Sequence, residues 1–167
     1  MTPYFLSSDR IERLRNEAAS WLGTPYAQSG AVKQSGASCH RLSGEVLRGA
    51  GFPVPTVPER GLTRKRDYFE AMREYMEGHP ASFAPVVPEN GELEIDDLIP
   101  GDLLLCRIGI GHTALYLGGP AARALQVLIK SPAHLVSLHI PRVWSFVEGA
   151  YRPVEMQPIG DGLKTIH

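Results

Sequence analysis

The sequence predicts an α+β fold, with helices packed on an antiparallel sheet. Apolar residues recur at helical spacing in the first half, and short apolar runs bounded by glycine or proline fill the last third. Helices first and strands afterwards is the order expected of segregated layers around one core. The 167 residues suit a single domain, and no internal repeat is visible.

The first helix is expected over Asp9 to Leu22, with Asp9 as cap and Glu12 closing a capping box. Ile11, Leu14, Ala18, Trp21 and Leu22 give it one apolar face, and Gly23 and Pro25 end it. A polar loop from Gln28 to Ser38 follows. A second helix begins at Cys39, turns Leu42 and Val46 inward, and stops at Gly49 and Gly51. Pro53, Pro55 and Pro58 keep the next stretch extended. Asp67 to Glu77 reads as a third helix with Phe69, Met72 and Met76 inward, and 81–100 as a proline-rich surface loop. About five strands follow: Leu103 to Cys106, His112 to Leu117, Ala124 to Ile129, His134 to Ile140 and Phe146 to Arg152. The domain is expected over 1–156, with an insert at 53–100 and a flexible tail at 157–167.

Composition narrows the function classes. Hydrophobic residues make up 43%, charged residues 21%, and the net charge is −1, so nothing general draws the chain to nucleic acid or an anionic membrane. The cluster Arg60, Arg64, Lys65 and Arg66 reads as a solvated loop or as a patch facing an acidic polymer. No stretch approaches the roughly 18 apolar residues of a membrane span. The N-terminal residues lack the basic start and apolar run of a secretory signal, which points to the cytoplasm or to delivery by a phage or secretion machine. Two cysteines do not make a disulfide framework, no spacing resembles a metal site, and no cofactor motif appears. Oligomeric state is not legible.

Cys39 is the residue with chemistry to offer. A thiol at a helix N-terminus sits in the positive end of the dipole, which favours the nucleophilic thiolate. The free N–H groups of the same turn can hold an oxyanion. On position alone, a buried structural cysteine fits equally well. Cys106 lies inside an apolar strand and reads as inert. Among the histidines, His79 and His167 lie in a helix-end loop and the tail. His40 adjoins Cys39 on the helix, where neighbours point apart. His112 opens a strand after Gly109-Ile110-Gly111, at a sheet end where a base can meet a helix N-terminus, although a lone histidine there is more often a surface residue.

Four segments in order sharpen this reading: Trp21-Leu22-Gly23-Thr24-Pro25-Tyr26, Cys39 at a helix start, Gly101-Asp102-Leu103-Leu104-Leu105, and His112-Thr113-Ala114-Leu115-Tyr116-Leu117-Gly118. With Phe146 to Arg152 at the end, they resemble the NlpC-type cell-wall cysteine peptidases over roughly residues 10–153. The resemblance implies a papain-like fold of bacterial type. It implies hydrolysis of γ-D-glutamyl or related amide bonds in peptidoglycan stem peptides, or in a related small peptide. Cys39 is then the nucleophile and His112 its base. Tyr26 matches a family tyrosine beside the nucleophile that positions substrate or the oxyanion. The family also places a polar orienting residue on the strand after the base. Gln126 falls there if the turn is about two residues longer than usual, and His134 is the rival.

The nucleophile motif departs from the family's usual Asp-Cys-Ser-Gly and reads Ser38-Cys39-His40-Arg41. Ser38 and His40 therefore occupy positions that bind a substrate's free amine in some members. The other reading is a non-catalytic or acyltransferase relative, acting as a phage-tail or assembly component.

Overall fold

The computed structural model describes residues 1–56 and 68–155. The basic cluster from Arg60 to Arg66, Pro58, Asp67 and the tail at 157–167 lie outside the described residues.

In chain order the elements are α1 (Ser8–Ser20), β1 (Ala31–Val32), β2 (Gly36–Ala37), α2 (Cys39–Gly49), α3 (Tyr68–Glu77), β3 (Phe83–Pro85), a 3-10 turn (Ile95–Asp97), β4 (Leu103–Cys106), β5 (His112–Gly118), β6 (Arg123–Gln126), β7 (His134–Ser137), α4 (Pro141–Trp144) and β8 (Val147–Pro153). The fold is α+β and papain-like. Its main sheet has six antiparallel strands in the order β3-β8-β4-β5-β6-β7, one more than the five expected. The extra strand is β3, in the stretch read as surface loop. Phe83 anchors it, only 2% exposed in the core, and it pairs along β8 from Phe83↔Pro153 to Pro85↔Tyr151. Pro85 can sit there because an edge strand leaves an N–H position free.

Other expectations shift at their boundaries. Ser7, not Asp9, caps α1, its side chain accepting from the Arg10 N–H at 3.4 Å. No box with Glu12 forms, because the cap lies two residues earlier. Leu22 falls beyond the helix end and is 37% exposed, whereas Leu14 and Ala18 are fully buried. The loop from Gln28 to Ser38 contains the short β1–β2 hairpin. The strand expected to run to Ile140 stops at Ser137, and Ile140 instead caps α4, with Pro141 in its first turn.

The helix bearing Cys39 ends as its sequence requires. Gly51 takes φ +95°, and the N–H groups of Gly51 and Phe52 donate to the Arg48 and Leu47 carbonyls at 3.0 and 2.9 Å. That double bond closes the helix in a conformation a side chain resists.

The sheet is covered on both faces. Leu103, Leu105, Leu115, Leu117 and Leu125 face α1, α2 and α3, packing with Leu14, Leu42, Val46 and Met72. Leu104, Cys106, Ala114, Tyr116 and Ala124 face Leu98 and Leu138 on the other side. This explains why β4 is apolar throughout and not alternating. Each leucine buried this fully contributes about 1.5–3 kcal/mol.

At the Gly101-Asp102 end of β4, Asp102 is fully buried. It accepts from Arg152 Nη2 at 2.8 Å, Arg152 Nε at 3.0 Å and the Ile99 N–H at 2.9 Å. Burial pushes its carboxyl pKa up, against the lowering effect of Arg152 and the Ile99 N–H. The Gly-Asp-Leu segment thus ties β8 to the start of β4. No helix of the described residues is long and apolar enough to cross a membrane.

Candidate active site

The N-terminus of α2 points into a cleft of about 450 Å³ at one end of the sheet. Cys39, His112 and Tyr26 line it together with Ser38 and His40. Ser38 is the N-cap of α2 in extended geometry, yet its side chain makes no capping bond. Its hydroxyl lies 3.3 Å from His40 Nδ1 instead. The first-turn N–H groups therefore face the cleft without a capping side chain, and the first helical bond runs from Leu42 N to Ser38 O at 2.8 Å.

Cys39 is partly buried, and its thiol pKa is set by opposing causes. Burial pushes it up. Hydrogen bonding to His112 and then His40, the charge of His112 and the Thr113 backbone N–H outweigh that and hold it well below the ordinary thiol value. Cys106 shows the opposite. It pairs across β4–β5 with His112, but burial and the nearby Cys39 charge push its pKa up to about 12. One thiol is prepared to ionise, and the other is not.

His112 opens β5 and is 5% exposed. Its Nε2 is buried with no hydrogen-bond partner among the described residues. Gln126 ends β6, on the neighbouring strand. The ladder pairs Leu115 with Leu125 and Tyr116 with Ala124, so one step further Gln126 stands opposite Ala114, near the strand end that carries His112. His134 is one strand further out, paired with Gln126. The Gln126 Nε2 lies 3.2 Å from His134 Nε2, and His134 Nδ1 lies 2.8 Å from the Pro132 carbonyl. A carbonyl only accepts, so His134 carries its proton on Nδ1. Its neutral Nε2 then accepts from the Gln126 amide NH₂. The Gln126 amide oxygen is left for the other side of the strand. The sheet therefore brings His112 and Gln126 to adjacent strands and sets His134 behind Gln126.

Tyr26 is held by a bridge to Ala37, and its pKa is raised by burial and by the Cys39 charge. The sequence reading missed Tyr68. It opens α3, and its hydroxyl lies 3.6 Å from Cys39 Sγ. Its ring stands 5.4 Å from that of His40. No motif marks it, because it reaches the site from an insert. A signal existed only in Gly111, where a Cβ would come within 2.4 Å of the Phe69 backbone nitrogen.

The cleft wall is apolar on the far side, with Ile108, Ile110, Val127, Leu128 and Ile129. Among the described residues, Arg41 and Lys130 line it and no carboxylate does. No group of three His, Cys, Asp or Glu side chains among them is placed to hold a metal ion.

No protein-family model matches the chain, and no curated protein matches it. Solved structures do. A protein described as similar to a lipoprotein of the NLP/P60 family, from Staphylococcus aureus subsp. aureus Mu50, matches at 18% identity and TM-score 0.60. The match covers 94% of this chain and 45% of that one. An NlpC/P60 family protein from Bacillus cereus ATCC 10987 matches at 18% identity and TM-score 0.52, over 86% of this chain and 40% of that one. The chain thus shares the fold of these proteins and spans less than half of their length.

Proposed function

We propose that this domain is a cysteine hydrolase that cuts amide bonds, γ-D-glutamyl or related, in peptidoglycan stem peptides. One observation carries the reading: a thiol at a helix start, in a cleft, held well below its ordinary pKa by imidazoles. The chemistry follows from that arrangement. His112 takes the Cys39 proton, and the thiolate attacks the amide carbonyl. First-turn N–H groups of α2 donate to the oxyanion, and His112 returns the proton to the leaving amine. Water activated by His112 then releases the acyl group from the thioester. Gln126 is the orienting residue in this proposal: it ends the strand beside β5, and its contact with His134 leaves its amide oxygen as the acceptor nearest in the ladder to His112, whose Nε2 has no partner among the described residues.

The substrate class rests on the family resemblance, and the cleft qualifies it. Lys130 and no carboxylate stand among the cleft's described lining residues, so none of these residues offers a free substrate amine a counter-charge. Free and N-acylated stem peptides should then be cut with similar kcat/KM, or acidic peptides preferred. Acyl transfer from the same thioester is the second reading, favoured by the apolar wall from Ile108 to Ile129. Digestion of muropeptides with mass spectrometry decides between them. Hydrolysis gives fragments that sum to the substrate plus water, and transfer gives the acyl group on an added amine. If neither product forms with the native protein, and Cys39→Ala behaves identically, the enzyme reading fails.

A further inference from the structure

The insert helix α3 delivers a group to the site that neither the sequence motifs nor the proposed mechanism uses. Tyr68 stands at its start with the hydroxyl 3.6 Å from Cys39 Sγ. Its position is built from two sides. The Phe69 N–H donates to the Ile110 carbonyl at 3.2 Å. Gly111, at φ +120°, has no Cβ, and one placed there would come within 2.4 Å of the Phe69 nitrogen and 2.9 Å of its Cα. Only a glycine lets the first turn of α3 press onto the segment that leads into His112. Tyr68 is 8% exposed, and burial, the Cys39 charge and the hydrogen bond to Cys39 together keep its phenol protonated well above the ordinary range.

We infer that Tyr68 is a catalytic residue, whose phenol donates a hydrogen bond to the Cys39 thiolate and holds it aimed into the cleft. This rests on the proposed cysteine chemistry. When the sulfur is a thiol it donates to the phenol oxygen. Once His112 has taken the proton, the direction reverses and the phenol donates to sulfur. The phenol keeps its own proton throughout. As the carbon–sulfur bond forms, charge leaves sulfur for the carbonyl oxygen and the phenol is released from its partner. Tyr68 thus fills, from a distant helix, the polar side of a nucleophile motif whose flanking residues here are Ser38 and His40.

The test is Tyr68→Phe, which removes one oxygen and keeps the ring that meets His40. Expected at pH 6 is a tenfold or greater loss in the rate of Cys39 alkylation by iodoacetamide. A tenfold to hundredfold loss in kcat on stem peptide should accompany it, with KM little changed. A ring that only fills space would leave both rates within twofold of native, and that result overturns the inference. Should the phenylalanine variant fold poorly, 3-fluorotyrosine at position 68 keeps the shape with a stronger donor. The midpoint of the alkylation–pH profile should then move to lower pH, and an unmoved midpoint overturns the inference equally. The native protein is the control for the underlying reading. If its Cys39 alkylates no faster at pH 6 than Cys106, the cysteine-hydrolase proposal fails first and takes this one with it.

Discussion

The two ends of strands β4 and β5 use buried polar groups in opposite ways. At the Gly101-Asp102 end, the buried carboxylate is met by Arg152 through two nitrogens and by the Ile99 N–H. At the other end, His112 Nε2 is buried without a partner among the described residues, and the Cys39 thiol is held well below its ordinary pKa against the effect of burial. A satisfied buried ion pair holds a fold in register. An imidazole without a partner beside a thiol of lowered pKa does not serve the fold in that way, and under the proposed chemistry it is the substrate that completes this end. Both ends come from short segments that resemble the same family, so the resemblance alone does not say which residues are structural. The hydrogen-bond inventory does.

Breaking the reactive end should give the largest effect. Cys39→Ala and His112→Ala should each lower kcat by about 10⁴ or more, because the pair acts as a unit. Both variants should stay folded, with a loss of about 1–2 kcal/mol in urea unfolding, since Cys39 only borders the core and the His112 imidazole carries a buried nitrogen without a partner among the described residues. A severe His40→Ala with a mild His112→Ala would move the base to His40, which also hydrogen-bonds Cys39. The same end predicts a pH dependence. The depressed Cys39 pKa means thiolate persists as pH falls from 8 through the range where an ordinary thiol is already neutral, so alkylation should stay fast there and decline only below the depressed value.

Breaking the structural end should do the reverse. Asp102→Ala leaves Arg152, 23% exposed at its side chain, without its carboxylate, and leaves the Ile99 N–H without its acceptor. A loss of about 3 kcal/mol in urea unfolding is expected. Cys39 in the protein that remains folded should alkylate at the native rate. A large fall in that rate would show that the two ends are coupled and the contrast between them is false.

Gln126 and His134 separate positioning from packing. Under the proposed orienting role, Gln126→Ala should lower kcat about 10–100-fold with KM nearly unchanged and a displaced pH profile. His134→Ala should cost less, because it acts only on the Gln126 amide. If His134→Ala proves the more damaging of the two, His134 and not Gln126 orients the base.

How much of this was legible in sequence follows the same division. Local signals place the Cys39 helix, its Gly51 stop and the His112 strand, because capping, glycine φ and apolar runs are properties of adjacent residues. Gln126 is reachable because a strand period and a turn length are also local. Tyr68 is not. It meets Cys39 only through the docking of α3 onto Gly111, a contact between distant segments with no spacing rule. The edge strand Phe83–Pro85 escaped for a like reason. Three residues carry no periodicity, and only pairing with β8 makes them a strand. Ser7 displaced Asp9 as helix cap because two adequate capping residues lie close together, and sequence alone does not rank them.

The smallest effect belongs to Cys106, and it sharpens the comparison most cheaply. Cys106 lies next to the reactive end in space, opposite His112 on β4, but its neighbours are Leu104, Ala114 and Tyr116 on the apolar face. With its pKa pushed up to about 12, it stays a thiol at any working pH. Cys106→Ala removes one buried sulfur and leaves a small cavity, so stability should fall by about 1 kcal/mol, while turnover stays near native. Cys106→Ser should be worse by a further ~1–2 kcal/mol, because a hydroxyl in that apolar setting lacks a partner. Thiol counting closes the argument: brief iodoacetamide treatment at neutral pH should modify one cysteine per native chain, one in Cys106→Ala and none in Cys39→Ala. Labelling of Cys106 in the folded native protein would mean that the apolar face opens and that burial does not keep the second thiol inert.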